Sequence, residues 1–217
     1  MPEFEAVSKE TLGTTVYNRI RQAILNGDFR PGDKVKIREI AGQMAVSGTP
    51  VRDALLQLVM ERALEMPSPR EIRVPHLSGA ELAEIRLLRV TLEGMAAEAA
   101  AARATPQDIA RLEELNDTIL TAFAEGDAHL ALSHNRAFHS HLYRLSGMEV
   151  AAEILDRLWL RMAPLIASWA SYAEADDFVR HHYPVIDALK RGDGPAARQA
   201  IADDIVASGI KIDDIHD

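Results

Sequence analysis

The stretch Ile37–Leu58, IREIAGQMAVSGTPVRDALLQL, decides the fold. Ile37-Arg38-Glu39-Ile40-Ala41 is a short amphipathic run that breaks at Ala45-Val46. A second apolar-periodic run begins at Val51, after Ser47-Gly48-Thr49-Pro50. Ser47 or Thr49 can cap this second run, and Pro50 suits a first helical position, where its missing N–H would lack a partner in any case. Two short helices joined by a tight turn, the second carrying Arg52 near its start, read as a helix-turn-helix. In that motif the second helix enters the major groove of DNA.

Working outward, residues 1–12 are expected to fray. Val16, Ile20, Ala23 and Ile24 recur at helical spacing from Thr14 or Thr15 to a left-handed stop near Asn26-Gly27. Downstream, Leu64-Glu65-Met66 and Ile72-Arg73-Val74 flank a Pro67-Ser68-Pro69 turn, the pattern of a small β wing. Three helices and a wing make a winged helix-turn-helix, assigned to residues 1–76.

Past the linker at His76-Leu77-Ser78 every segment is helical. Ser78 and Glu81 form a capping box for a run Glu81–Arg103, and Thr105-Pro106 opens the next helix. Gly126-Asp127 breaks it before Ala128–Leu145; then come Val150–Tyr172, with a kink expected at Pro164, Ala175–Arg191 and Ala196–Ile210. With no strand pattern beyond the wing, the fold class is mainly α, and residues 77–217 should form an antiparallel α-helical bundle.

Composition alone does not suggest DNA. The 217 residues carry a net charge of −9, yet residues 1–76 balance at +1 while the rest hold −10, so the acidity belongs to the part that need not touch phosphate. The absence of Cys excludes disulfides and thiolate metal ligands and fits a cytoplasmic protein. No apolar run approaches the roughly 18 residues of a membrane helix, so no membrane partner is expected.

These residues resemble the GntR family of bacterial transcription regulators, in its FadR-like branch. The head carries Tyr17, Ile20, Ile24, Gly27, then Arg30-Pro31-Gly32, Ile37-Arg38-Glu39-Ile40-Ala41 and Val46-Ser47-Gly48-Thr49-Pro50-Val51-Arg52-Asp53-Ala54-Leu55. The tail carries Arg89, Leu92-Glu93, Asn135-Arg136-Ala137-Phe138-His139, Ser146-Gly147, His182 and Ile186-Asp187-Ala188-Leu189. The resemblance implies a homodimer that binds double-stranded operator DNA through the head, and a small effector, often an organic acid, through the tail. Two departures stand out: the family usually has Arg at Gly48 and a Gly in the wing turn near Pro69.

For DNA, Arg38 and Arg52 are the candidates for reading base edges, with Ser47 and Thr49 on phosphate and Arg70 on the wing, where Arg73 adds charge. The competing reading has Arg52 paired with a surface carboxylate and Ser47 and Thr49 as plain caps. In the tail, Asn135 and His139 lie four apart, on one helical face, with His182 and Asp204 on later helices. Relatives place a carboxylate and three histidines at these positions around a divalent metal. Here Asn135 takes the carboxylate position and Asp204 the last histidine position. His139, His182 and Asp204, with Asn135 as a weak fourth donor, are thus a candidate site for one divalent metal (zinc, nickel or manganese). The same residues also suit a metal-free effector pocket, and His139 alone suits a satisfied core position. Arg89 is either a clamp for an effector carboxylate or a partner of Glu93. Tyr143, Trp159 and Trp169 line a cavity or pack in the core; His181 is an alternative ligand, and His134 and His141 should face solvent. A metal-dependent enzyme with an accessory DNA- or protein-binding head is the alternative function. No nucleophile elbow, phosphate loop or HExxH pattern supports it. A protein-binding head without DNA is the other.

Overall fold

The computed structural model describes residues 12–170 and 174–207. Leu12, the last residue expected to fray, is helical; the rest of that stretch, residues 1–11, and the ends of the runs predicted to reach Tyr172 and Ile210 lie outside the described residues.

Helix α1 spans Leu12–Leu25, α2 Ile37–Met44 and α3 Gly48–Met60. Ala45 closes α2 in the left-handed region (φ 54°), which turns the chain sharply enough for α3 to start at Gly48. Strand β1 (Glu65–Ser68) pairs antiparallel with β2 (Glu71–Arg73). The wing therefore turns at Pro69-Arg70, and Pro67 lies inside a strand, not in the turn as predicted. Proline is tolerated there because β1 is an edge strand and its register is irregular between Glu65 and Ser68. The loop before α2 completes the other edge: the Val35 N–H donates to Ile72 O and the Val74 N–H to Asp33 O. Val16, Ile20, Ile24, Leu55 and Leu58 pack one core beneath these elements.

The larger part contains α4 (Gly79–Ala101), α5 (Pro106–Ala124), α6 (Ala128–Leu145), α7 (Glu149–Ala170), α8 (Ala175–Val179), α9 (His182–Arg191) and α10 (Gly194–Ala207). Capping boxes at Ser78/Glu81 and Thr105/Asp108 start α4 and α5. Helix α7 runs unbroken through Pro164. The predicted single helix Ala175–Arg191 is two, α8 and α9, broken at Arg180-His181. Pro184 explains the break: mid-helix it would lose a hydrogen bond and clash with the preceding turn, whereas as the third residue of α9 its missing N–H costs nothing. Among the described residues no helix is long and apolar enough to cross a membrane.

Helix α7 joins the two parts. Leu160 and Ala163 on one face belong to the same apolar cluster as α1, while Trp159, Met162, Ile166 and Trp169 face the interior of the bundle. Gly27, at φ +80°, abuts Ala167 so closely that a Cβ there would collide with it. The Arg161 guanidinium donates to Glu81 at 2.9 Å, tying α7 to the first turn of α4.

Candidate functional site

Two sites emerge, one in each part. In the head, Arg38 near the start of α2, Arg52 on α3 and Arg70 at the wing turn line one groove of about 850 Å³, together with Lys34 and Lys36. All three arginines are exposed, and none makes an ion pair or side-chain hydrogen bond among the described residues, so the reading of Arg52 as a surface salt bridge does not hold. Lys34 pairs with Glu71 and Lys36 with Glu39, both on the surface. Arg73, expected to keep the wing basic, is instead bound to Glu65 across the strands at 2.5 Å.

Ser47 and Thr49 are exposed beside the groove but do not line it. Pro50 is the third residue of α3, not the first, and Thr49 lies inside the helix. Ser47 is the N-cap by backbone conformation, but its hydroxyl makes no cap bond. Pro50 removes one of the two usual donors to a Ser cap, the N–H of the third helical residue. At Gly48 an added Cβ would meet only Ile37 Cγ2, at 3.4 Å, so packing does not require glycine there.

The second site is buried in the bundle. His139 on α6, His182 at the start of α9 and Asp204 on α10 bring one ligand atom each within 4.8 Å of one another. His139 Nε2 lies 3.3 Å from Asp204 Oδ2, and His182 Nε2 lies 3.7 Å from Asp204 Oδ1. Each imidazole is fixed from behind. His139 Nδ1–H donates to Glu93 Oε2 at 2.7 Å, and His182 Nδ1–H donates to Asn116 Oδ1 at 2.7 Å. These bonds aim both Nε2 atoms at the cluster, the arrangement in which outer acceptors orient metal-ligating histidines. Phe138 stacks on the His182 ring at 3.7 Å and holds its plane.

Electrostatics divide the two histidines. Burial drives His139 down, but Glu93 and Asp204 overcome it and lift its pKa to about 9. At His182 burial wins: Asp204 pulls the other way, but burial, with His139 and His181 adding to it, depresses the pKa to about 3, so this imidazole is neutral. Its Nε2 is buried with no hydrogen-bond partner, a lone pair without a donor. Burial also raises Glu93 and Asp204, yet Arg89 and His139 at Glu93, and the His139 hydrogen bond above all at Asp204, hold both carboxylates below their ordinary range.

Arg89 is the partner of Glu93 and also borders a cavity. Its Nε donates to Glu93 Oε1 at 2.6 Å, and its guanidinium also lies over the Trp159 ring at 4.1 Å, on the wall of a small cavity. Asn135, His139, Asp204 and Trp169 line that cavity too. Tyr143 does not; its hydroxyl bonds Asp156. His181 stands half-buried outside the cluster. His134 and His141 are half-buried rather than solvent-facing: His134 bonds the Leu130 carbonyl of its own helix, and His141 lies 3.6 Å from Asp108.

Sequence reading missed Asn116, although a signal existed: it interrupts the buried stripe Leu112, Leu115, Ile119 on α5. Glu93 was foreseen as a partner of Arg89 but not of His139, and Lys34 and Lys36 were not foreseen in the groove.

Residues 12–74 match the family described as bacterial regulatory proteins, gntR family, and residues 84–207 match the FCD domain. The chain is 31% identical to the HTH-type transcriptional regulator McbR of Escherichia coli over 206 residues, covering 94% of this chain and 93% of that protein. It is 29% identical to a probable D-xylose utilization operon transcriptional repressor of Paenarthrobacter nicotinovorans, over 94% and 91% of the two chains. The solved structure of E. coli McbR superposes with a TM-score of 0.83 at 30% identity, covering 91% of this chain and 94% of that one. A GntR regulator from Rhodococcus sp. RHA1 shares the fold, with a TM-score of 0.75 over 94% and 99% of the chains at 24% identity.

Proposed function

The chain belongs to the GntR family of bacterial regulatory proteins, as a member with a C-terminal FCD domain, and from that premise we propose that it is a ligand-responsive repressor that binds operator DNA as a homodimer. Its relatives are transcription regulators and not enzymes, which disposes of the metal-dependent enzyme as an alternative. The working division is residues 1–76 for DNA and 77–217 for effector binding and dimerisation, in a cytoplasmic protein.

In the DNA complex, Arg52 and Arg38 read base edges, and Ser47 and Thr49 contact phosphate at the N-terminus of α3. Arg70 carries the wing to the backbone, with Lys34 and Lys36 adding charge along the groove. The observation that carries this reading is the convergence of three unpaired arginines from α2, α3 and the wing on one groove. The dimer face is the outer stripe of α4, where Leu87, Leu88 and Met95 are 65%, 40% and 40% exposed at helical spacing.

In the bundle, His139, His182 and Asp204 hold one divalent ion, which supplies concentrated positive charge for an anionic ligand. The donor set fits: two imidazoles with outward-tied Nδ1 atoms, a carboxylate, and an orphaned His182 Nε2. Asn135 and Arg89 face the ligand. Helix α7 transmits the signal, because one of its faces walls the cavity and the adjoining face carries α1 of the head. Ligand binding alters operator affinity to the extent that it prefers one placement of α7 over another.

The test is a gel shift with the full-length protein on a selected operator, before and after chelation and metal return. Arg52→Ala should lose about 10-fold or more in affinity for the operator while keeping salt-dependent non-specific binding. Undiminished operator affinity in Arg52→Ala would overturn the DNA reading. An unaltered shift after demetallation, with no metal retained on reloading, would overturn the metal reading.

A further inference from the structure

The bundle is acidic as a whole, yet the seam where α1 of the head lies on α6 and α7 carries arginine from all three helices. Gly27, just past α1, lies against both Ala167 of α7 and Leu132 of α6, which fixes how the three helices run beside one another. Arg136 is one helical turn beyond Leu132 on α6, Arg21 stands on α1 and Arg157 on α7. Arg21 and Arg136 are half-buried, and Arg157 is exposed. Among the described residues none of the three makes a side-chain hydrogen bond or an ion pair, and the buried Nε of Arg136 has no acceptor.

The carboxylates that act on this group are already taken. Asp156 accepts from the Tyr143 hydroxyl through one oxygen and from Arg144 through the other. Glu61 receives the Tyr17 hydroxyl between its two oxygens, at 2.9 and 2.8 Å, and the Gln57 amide at 3.1 Å. Burial and the like charge of Arg21 hold Arg136 below its ordinary range, against the pull of Tyr143 and Asp156. Arg21 and Arg157 both act on the Tyr17 hydroxyl, so the three guanidinium groups share one field. A buried N–H without an acceptor is costly, and like charges gathered without a counter-ion add to that cost.

We propose that this seam is a site for a phosphate-type dianion, held between Arg21, Arg136 and Arg157. A tetrahedral anion presents several acceptor oxygens at once, and guanidinium groups meet them with paired N–H donors. One counter-ion then serves a cation of the head and two of the bundle, which ties the two parts together. Tyr17 lies one turn before Arg21 on α1 and holds Glu61 at the C-terminal cap of α3. The anion therefore bears on the helix that carries Arg52, and shifts operator affinity to the extent that it prefers one placement of α1. Its source is a free phosphorylated molecule or the DNA backbone flanking the operator, and the chemistry recognised is the same.

The test begins with full-length protein titrated with inorganic phosphate and with pyrophosphate, by isothermal calorimetry at fixed ionic strength. Saturable binding should weaken about 10-fold or more in Arg136→Met and in Arg21→Met, which keep the apolar stem. Arg157→Met, at an exposed position that leaves the core untouched, should weaken it as well. Arg19→Met, on the exposed face of α1 away from the seam, should bind as the parent does. Circular dichroism verifies that each variant is folded. Operator affinity is then compared on a minimal duplex and on one extended by about 10 base pairs, one helical turn, at each end. A gain on extension that Arg21→Met removes, without binding of free phosphate, identifies the DNA backbone as the source and supports the site. Phosphate and pyrophosphate binding undiminished in the folded arginine variants of the seam would overturn the inference. So would the absence of such binding together with no flank-dependent gain that Arg21→Met removes.

Discussion

Glu93→Gln is the most demanding test of the buried cluster, because Glu93 serves two donors at once. It is 1% exposed and accepts from Arg89 Nε at 2.6 Å through one oxygen and from His139 Nδ1 at 2.7 Å through the other. Glutamine has the same shape but replaces one acceptor by an NH₂ donor, so either Arg89 or His139 must face another N–H. If the amide oxygen stays on Arg89, His139 adopts the tautomer with hydrogen on Nε2, the atom that should ligate the metal. If it turns to His139, a buried guanidinium loses its acceptor. In both cases the charge that balances Arg89 is gone. Breaking a buried pair in this way costs about 3–5 kcal/mol. With about 2–4 °C per kcal/mol for a chain of this size, the metal-free protein should melt roughly 10 °C lower by calorimetry. Zinc affinity, measured against a competing chelator, should fall about 10- to 100-fold, as is usual when an outer partner of a ligating histidine is lost. Glu98→Gln is the control: its bond to Arg198 is exposed, 43% and 51%, and should matter by no more than about 0.5 kcal/mol. A melting temperature within about 2 °C of the parent, with unchanged zinc affinity, would refute the assignment of Glu93 as the electrostatic anchor.

Three further outcomes are expected. Leu87→Arg places a charge on the exposed stripe of α4 and should convert dimer to monomer by analytical ultracentrifugation without loss of helical signal; a dimer of undiminished stability would exclude that face. Gly27→Ala requires a left-handed alanine, costing about 1–2 kcal/mol, and drives a methyl into Ala167 of α7. It should lower the melting temperature by about 5 °C and weaken the ligand's effect on operator affinity; full retention of both would exclude tight docking of α1 on α7. Glu81 is held below its ordinary pKa by the Ser78 backbone N–H and, against a smaller opposing effect of burial, by the Ser78 hydroxyl and Arg161. The sign follows: a depressed carboxylate stabilises the fold above the unfolded value of 4.5, and that stability is lost as pH falls through the lower folded value. The stability gap between the parent and Glu81→Gln, about 0.5 kcal/mol near neutrality, should therefore shrink progressively below pH 4.5 in urea titrations. A gap independent of pH would point to shape and not charge.

Much of the architecture was legible along the chain because its causes are local. The capping box at Ser78/Glu81, the Thr105-Pro106 start of α5 and the stop at Gly27 are written in a few adjacent residues, and the helix-turn-helix is a spacing of such signals. Where local signals competed, reading faltered. Two prolines in the wing pointed to a turn at Pro67–Pro69, but sheet register put Pro67 in an edge strand. Pro184 is the local signal that separates α8 from α9, and its position relative to the helix start sets where the chain breaks.

The sequence by itself determined that this is a helical protein with a winged DNA-binding head, and that Asn135 and His139 share a helical face. Both are properties of neighbours within a few residues. Only the tertiary structure decided what the histidines are bound to: Glu93 reaches His139 across 46 residues and Asn116 reaches His182 across 66. No periodicity encodes such pairs, because they depend on how α4, α5, α6 and α9 cross. The packing that buries these groups also sets their charges, leaving one imidazole cationic and the other neutral in the metal-free protein.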